Sequence, residues 1–206
     1  YYVEAATNYI GKWKEVFQND NPIYIEIGMG KGDFIIENAL RYPNINFIGI
    51  EKFDSVLVRA IQKSNELEID NLKLVRLEAN YIDTIFSKEI SLIYLNFSDP
   101  WPKERHAKRR LTSPIFLEKY DKIFKDKANI IMKTDNNPLF EYSKESLENF
   151  GYQIKSITRD LYQEDISQNI KTEYEKKFVK LGVKINRLEA IKQPKSNKKS
   201  KKHYKK

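Results

Sequence analysis

Asp99, Trp101 and the basic residues after them concentrate more potential chemistry than any other stretch of this 206-residue chain. In Asn96-Phe97-Ser98-Asp99-Pro100-Trp101-Pro102-Lys103-Glu104-Arg105 the acid follows the apolar run Ser91-Leu92-Ile93-Tyr94-Leu95, which reads as a buried strand. Two prolines bracket the tryptophan and stiffen the loop. Lys103, Arg105, Lys108, Arg109 and Arg110 then crowd into eight positions with only Glu104 opposing. A carboxylate can hold the N–H donors of a nucleobase, and an aromatic ring can stack on it for about 1–3 kcal/mol. Cations beside such a site suit phosphates. Nucleic-acid chemistry is therefore the first expectation.

A second constellation lies upstream, where Ile23-Tyr24-Ile25-Glu26-Ile27 runs into Gly28-Met29-Gly30-Lys31-Gly32. A P-loop needs Gly-Lys-Ser/Thr, but Gly32 and Asp33 follow Lys31. The dinucleotide fingerprint needs its third glycine one residue later. Glu26 would be unhelpful beside a pyrophosphate and welcome beside a cation. S-adenosylmethionine carries an ammonium and a sulfonium, so the E-x-G-x-G-x-G pattern is better read as a methyl-donor site. Glu51 ends a second apolar run 19 residues after Gly32, where a carboxylate can accept ribose hydroxyls. Asn80 is placed to meet an adenine edge. The plain alternative is a turn with solvent-facing acids.

These residues need a scaffold, and the pattern supplies one. Strands are expected at 22–27, 46–51, 72–77, 91–97, 128–133, 152–158 and 183–191. Helices are expected at 33–42, from a cap at Asp54, from Ser113-Pro114, at 137–150 and at 172–181, with an amphipathic stretch over 9–17. Strands alternating with helices imply an α/β fold built on a mostly parallel, doubly wound sheet. Asp99 would then leave the fourth strand beside the first, and so beside the methyl donor. Lys133-Thr134-Asp135-Asn136-Asn137 ends the fifth strand on the same rim. Thr172-Glu173-Tyr174-Glu175 has the form of a capping box, a sufficient reason for those residues without any chemistry.

Bulk composition narrows the class. The net charge of +8 is not spread evenly: residues 192–206 hold eight lysines and no acids, leaving 29 Lys+Arg against 29 Asp+Glu in the body. Residues 1–191 are expected to form one domain and 192–206 a solvated tail, serving either solubility or RNA tethering. The chain has no cysteine and two histidines, His106 and His203, which excludes disulfides and thiolate metal sites and argues against any metal. No run approaches a membrane span and nothing resembles a signal peptide, so a cytoplasmic protein is expected. Because the chain opens on Tyr1, a natural start is expected upstream.

Together these segments resemble the bacterial tRNA (guanine-N7)-methyltransferases, which modify a guanosine in the tRNA variable loop. The resemblance runs from about Tyr24 to Ala190. It rests on Ile25 to Gly32, Gly49-Ile50-Glu51, Asn96 to Leu111, Lys133-Thr134-Asp135-Asn136 and Thr172-Glu173-Tyr174-Glu175. It implies a Rossmann-like class I S-adenosylmethionine-dependent methyltransferase fold with a last antiparallel strand. It also implies donor binding by Glu26, Gly28, Gly30, Gly32, Glu51, Asn80 and Asp99, and a catalytic role for Asp99. Contacts to tRNA are implied for Lys103, Arg105, His106, Lys108, Arg109, Arg110, Asp135, Thr172, Glu173, Tyr174 and Glu175. Many members carry an aspartate where Asn80 aligns. The bacterial type works without the β-propeller partner of its eukaryotic relatives, so a monomer or homodimer is expected.

Guanine N7 keeps its lone pair in the ring plane and needs no deprotonation, so the scarcity of histidine is no obstacle. Asp99 would either hold the guanine N1–H and 2-amino donors or stabilise the charge that develops on the purine. Two rivals remain. An exocyclic-amine RNA methyltransferase would have proline where Trp101 stands in Ser98-Asp99-Pro100-Trp101. A non-catalytic RNA-binding module need not retain the glycine turn and its acids.

Overall fold

The computed structural model describes residues 1–164 and 168–194. Among them seven strands form one sheet: β1 (Ile23–Ile27), β2 (Asn46–Glu51), β3 (Leu72–Arg76), β4 (Ile90–Asn96), β5 (Ala128–Thr134), β6 (Gln153–Thr158) and β7 (Asn186–Lys192). Their order is β3-β2-β1-β4-β5-β7-β6. The first five run parallel, and β7 inserts antiparallel to both β5 and β6. This is the doubly wound sheet with a reversed last strand that the sequence implies.

Period-two alternation divides the sheet into two faces. Ile25, Ile27, Ile48, Ile93 and Met132 pack on one side against α4 (Pro114–Ile123) and α5 (Asn137–Asn149). The same side receives α1 (Trp13–Phe17), whose Trp13 is fully buried and donates its indole N–H to the Ile85 carbonyl at 2.7 Å. Phe47, Leu72 and Leu74 point the other way, onto α2 (Asp33–Arg41) and α3 (Asp54–Asn65). Gly32 sits where these two helices meet. A Cβ there would stand 3.0 Å from the Ala60 Cβ, and φ is +83°. A sixth helix, α6 (Glu173–Phe178), continues as a 3-10 turn over Val179–Leu181 and stops at Gly182.

The differences from the sequence reading lie at caps and short turns. Asp54 is the first helical residue of α3 rather than its cap, and its carboxylate pairs with Arg76. Ser113 does precede α4, but its hydroxyl donates to the Lys108 carbonyl at 3.0 Å and caps nothing. β7 starts three residues later than expected and runs through Lys192, whose ammonium pairs with Asp121. The strand therefore extends one residue past the boundary placed at 191. The lysine-rich tail lies, from 195 on, outside the described residues. Two 3-10 segments, Ala79–Thr84 and Glu104–Arg109, have no counterpart in the sequence reading, since such short turns carry too few residues for a period. None of the described helices is long and apolar enough to cross a membrane.

Candidate active site

Strand order reverses at β1 and β4, and ligands of open α/β sheets bind outside the strand ends at such a point. A cavity of about 680 Å³ lies there, lined by Gly28, Glu51, Asn80, Phe97, Asp99 and Trp101, among others. They arrive from four strands: Gly28 follows β1, Glu51 ends β2, Asn80 lies in the 3-10 turn after β3, and the remaining three follow β4.

Backbone geometry fixes the first wall. Gly28 has φ +78° and its N–H donates to the Ile50 carbonyl at 2.9 Å, which ties the turn to β2. A Cβ built on Gly28 meets no protein atom within 4 Å, so a side chain there would enter the cavity instead. Glu51 is held just as firmly. Its Oε1 accepts from the Lys52 and Phe53 backbone N–H groups at 2.8 and 3.0 Å, and its Oε2 accepts from Gly30 N–H at 3.1 Å. The carboxylate thus faces the cavity in one orientation, with acceptor capacity left on Oε2. An open space over a glycine and an oriented acid are what a nucleoside's ribose requires, and these residues fit S-adenosylmethionine.

Glu26 is placed differently from the other donor-site residues. It is 2% exposed, stands behind the Gly28 turn and does not line the cavity. Its Oε1 accepts from Asn96 Nδ2 at 2.8 Å, while its Oε2 and the Asn96 Oδ1 are both buried without a partner. Burial pushes its carboxyl up to about 8, and Glu51 adds to the rise; Asn96 and Lys133 oppose it. Burial thus favours the protonated form of Glu26 at pH 7.

Strain marks the second wall. Phe97 and Trp101 have φ of 51° and 44°, a left-handed conformation that bulky side chains rarely adopt. Such outliers cost about 1–3 kcal/mol each and persist only where the surroundings enforce them. The two flank Asp99, which is exposed at the cavity mouth. Trp101 is covered in turn by neighbours from the basic run. The Arg109 guanidinium lies 4.8 Å from its ring centroid, and the His106 ring meets it edge-on at 5.8 Å. Lys108 and Arg109 are exposed and line the cavity, whereas Lys103 and Arg105 are exposed outside it. Arg110 alone of the run is buried, at 8% exposure.

Behind Phe97 stands a segment from far along the chain, which does not itself line the cavity. Thr172 and Glu175 do form a capping box, and both are buried. Glu175 also pairs with the buried Lys133 of β5 at 2.5 Å and accepts from the Tyr162 hydroxyl and Asn169. Burial holds the Lys133 ammonium below its ordinary value, and Glu175 works against that shift. The pair seats α6 so that Tyr174 donates to Asp135 Oδ2 at 2.8 Å and lies against Phe97, ring centroids 4.6 Å apart. Burial and that carboxylate push the Tyr174 phenol up to about 12. Glu173 pairs with Lys31 of the glycine turn at 2.7 Å.

The sequence-selected residues thus gather on one rim, in different capacities. Gly28, Glu51, Asn80, Asp99, Lys108 and Arg109 line the cavity. Gly30 supports Glu51, and Gly32 spaces two helices. Asp135, Glu173 and Tyr174 bind α6 to the rim, while Thr172 and Glu175 lie beneath it. Sequence reasoning missed the supporting role of Phe97 and the Lys133–Glu175 pair. A lysine at the end of an otherwise apolar strand was the one available signal for the latter.

The sheet order, the glycine turn and the oriented acid at the end of β2 together define a class I S-adenosylmethionine-dependent methyltransferase. The family model Methyltransf_4, described as "Putative methyltransferase", matches residues 20–188. A tRNA (guanine-N(7)-)-methyltransferase of Lachnoclostridium phytofermentans is 52% identical over 185 residues, covering 89% of this chain and 86% of the relative. The one from Bacillus licheniformis is 48% identical over 189 residues, covering 91% and 89%. The chain belongs to the tRNA (guanine-N(7)-)-methyltransferase family. A solved structure described as "Structure of an Antibiotic Related Methyltransferase" superimposes with a TM-score of 0.66 over 93% of this chain and 96% of its own. At 19% identity that likeness concerns the fold alone.

Two outcomes follow for stability. Between pH 4.5 and about 8 the unfolded Glu26 has lost its proton and the folded one retains it, so this residue's contribution falls as pH rises. Glu26→Gln should remove that fall, up to about 1.4 kcal/mol per pH unit, in urea melts of both proteins across this range. Lys133→Met leaves Glu175 buried and unpaired and should cost about 3–5 kcal/mol. Adding Glu175→Leu should recover a large part, and a double variant as unstable as the single would refute the pairing as the cause.

Proposed function

We propose that this protein transfers the methyl group of S-adenosylmethionine to N7 of a guanosine in the variable loop of tRNA. One observation carries the reading: the Gly28 turn and Glu51 share a cavity with Asp99, Lys108 and Arg109. A nucleoside site and an acid-and-cation site are therefore continuous.

When bound, S-adenosylmethionine supplies an electrophilic methyl group on its sulfonium. Glu51 would accept from the ribose hydroxyls, Asn80 would meet the adenine edge, and Gly28 would leave room for the chain between ribose and sulfur. Glu26 lies behind this turn, buried and bonded to Asn96. Lys108 and Arg109, exposed at the mouth, would hold tRNA phosphates, with Lys103, Arg105 and His106 extending the contact. With guanine N7 held opposite the sulfur, the methyl group would pass to N7 while the sulfur keeps the electron pair of the broken bond. The products are S-adenosylhomocysteine and a cationic 7-methylguanosine. No proton moves, so the protein's part is positioning, exclusion of water and stabilisation of charge.

Asp99 fits the last of these tasks. Positive charge passes from sulfur to purine, and a fixed carboxylate between them favours its arrival. Asp135, which follows β5 and is held by Tyr174 of α6, would steady the base from the same rim. The protein would act in the cytoplasm, on tRNA, without an obligatory protein partner.

Incubation with methyl-labelled S-adenosylmethionine and unmodified tRNA, followed by nucleoside mass spectrometry, tests the reading. Label is expected in 7-methylguanosine of the variable loop; label on an exocyclic amine, or elsewhere in the tRNA, would refute it. Asp99→Ala should lower kcat about a hundredfold or more while calorimetric affinity for the donor changes little. An equal loss of donor affinity would make Asp99 a donor-binding residue only.

A further inference from the structure

We infer that Arg110 is a positioning residue that holds the Asp99 loop in its strained form and contacts no phosphate. The inference deepens the proposed function and rests on that reading for its catalytic consequence, though not for its structural one. Sequence alone counts Arg110 as one cation among five. The structure separates it from the others: Lys103, Arg105, Lys108 and Arg109 are exposed, and Arg110 is buried.

Its guanidinium is already committed. Nε donates to the Pro100 carbonyl at 3.2 Å, and Nη2 donates to the Trp101 carbonyl at 3.1 Å. The opposite side lies 4.2 Å over the ring of Tyr142, an α5 residue that the sequence reading did not select. The Pro100 carbonyl belongs to the peptide plane before the Trp101 Cα, and the Trp101 carbonyl to the plane after it. Fixing both planes fixes both dihedrals of Trp101, the residue at φ 44°. A guanidinium can do this because its donors are rigidly spread, and a lysine ammonium is a point charge without that fork. Arg110 is itself anchored: its N–H donates to the Ala107 carbonyl at 3.0 Å, and its carbonyl accepts from Ser113 N–H at 2.9 Å. The loop from Asp99 to Arg110 thus closes on itself, with the acid at its open end.

Arg110→Lys separates position from charge. It should lower kcat for tRNA methylation about tenfold or more, with the KM for tRNA and the salt dependence of tRNA binding as in the wild type. Lys108→Ala and Arg109→Ala should instead raise that KM and flatten the salt slope by about one each. A wild-type kcat in Arg110→Lys, together with a flattened slope in Arg110→Ala, would overturn the inference and return Arg110 to the phosphate contacts.

A second arm needs no substrate. Glycine adopts φ above zero freely, so Trp101→Gly removes the strain that Arg110 is inferred to hold. Arg110→Lys should lower the Tm more in the Trp101→Gly background than in the Trp101 background, where release of the strain offsets part of the loss. An equal drop in both backgrounds would show that Arg110 does not act through Trp101. If the wild type itself fails to methylate tRNA, the functional reading falls while this cycle still decides the role of Arg110.

Discussion

The rim of the sheet depends on one buried cation. Lys133 lies at the end of β5, and its ammonium donates to Glu175, to the Ile170 carbonyl at 2.9 Å and to Asn169 at 3.2 Å. Taking an ammonium out of water is costly unless every donor is met. Here all three donors reach oxygens from one stretch of chain, residues 169–175. That stretch has no neighbouring strand to hold it, so the cation's demand for partners keeps it over the sheet. Glu175 is doubly engaged, closing the capping box of α6 while it pairs with Lys133. The helix start and the buried pair therefore stand or fall together. α6 in turn carries Tyr174 to Asp135 and Phe97, and Glu173 to Lys31.

Lys133 also acts on Glu26, without deciding its state. A carboxyl fully withdrawn from solvent would normally require a partner of full charge. The Lys133 ammonium favours ionisation of Glu26, but burial outweighs it. The ammonium is already bonded to Glu175, so its field at Glu26 is partly cancelled. What results is a neutral acid bonded to Asn96 behind the glycine turn.

Much of this was legible in the sequence, and the reason is periodicity. Alternating apolar residues locate β1 to β5, and the glycines and acids at their ends locate the ligand side of the sheet. The reversed β7 and the five parallel strands follow the expected pattern. What stayed hidden depends on backbone angles and partners rather than on residue type. Phe97 and Trp101 give no sign in sequence of their left-handed φ, because strain is imposed from outside the strained residue. Arg110 and Arg109 are adjacent and chemically identical, yet one is buried over Tyr142 and the other exposed over Trp101. Asp54 looked like a helix cap, but Phe53 takes the cap position and Asp54 lies inside the first turn, where it pairs with Arg76.

Guanine N7 has no proton to lose before it attacks a methyl group. An enzyme that must deprotonate its nucleophile needs a base with a tuned pKa, and tuning demands a delicate local field. Attack by an in-plane lone pair needs no base, so the selective demand falls on geometry. The structure meets that demand with rigid means: a glycine turn tied to β2, an acid oriented by three backbone N–H groups, and a strained loop closed by an arginine. The strongly shifted acid Glu26 is buried behind the glycine turn, bonded to Asn96 and outside the cavity lining.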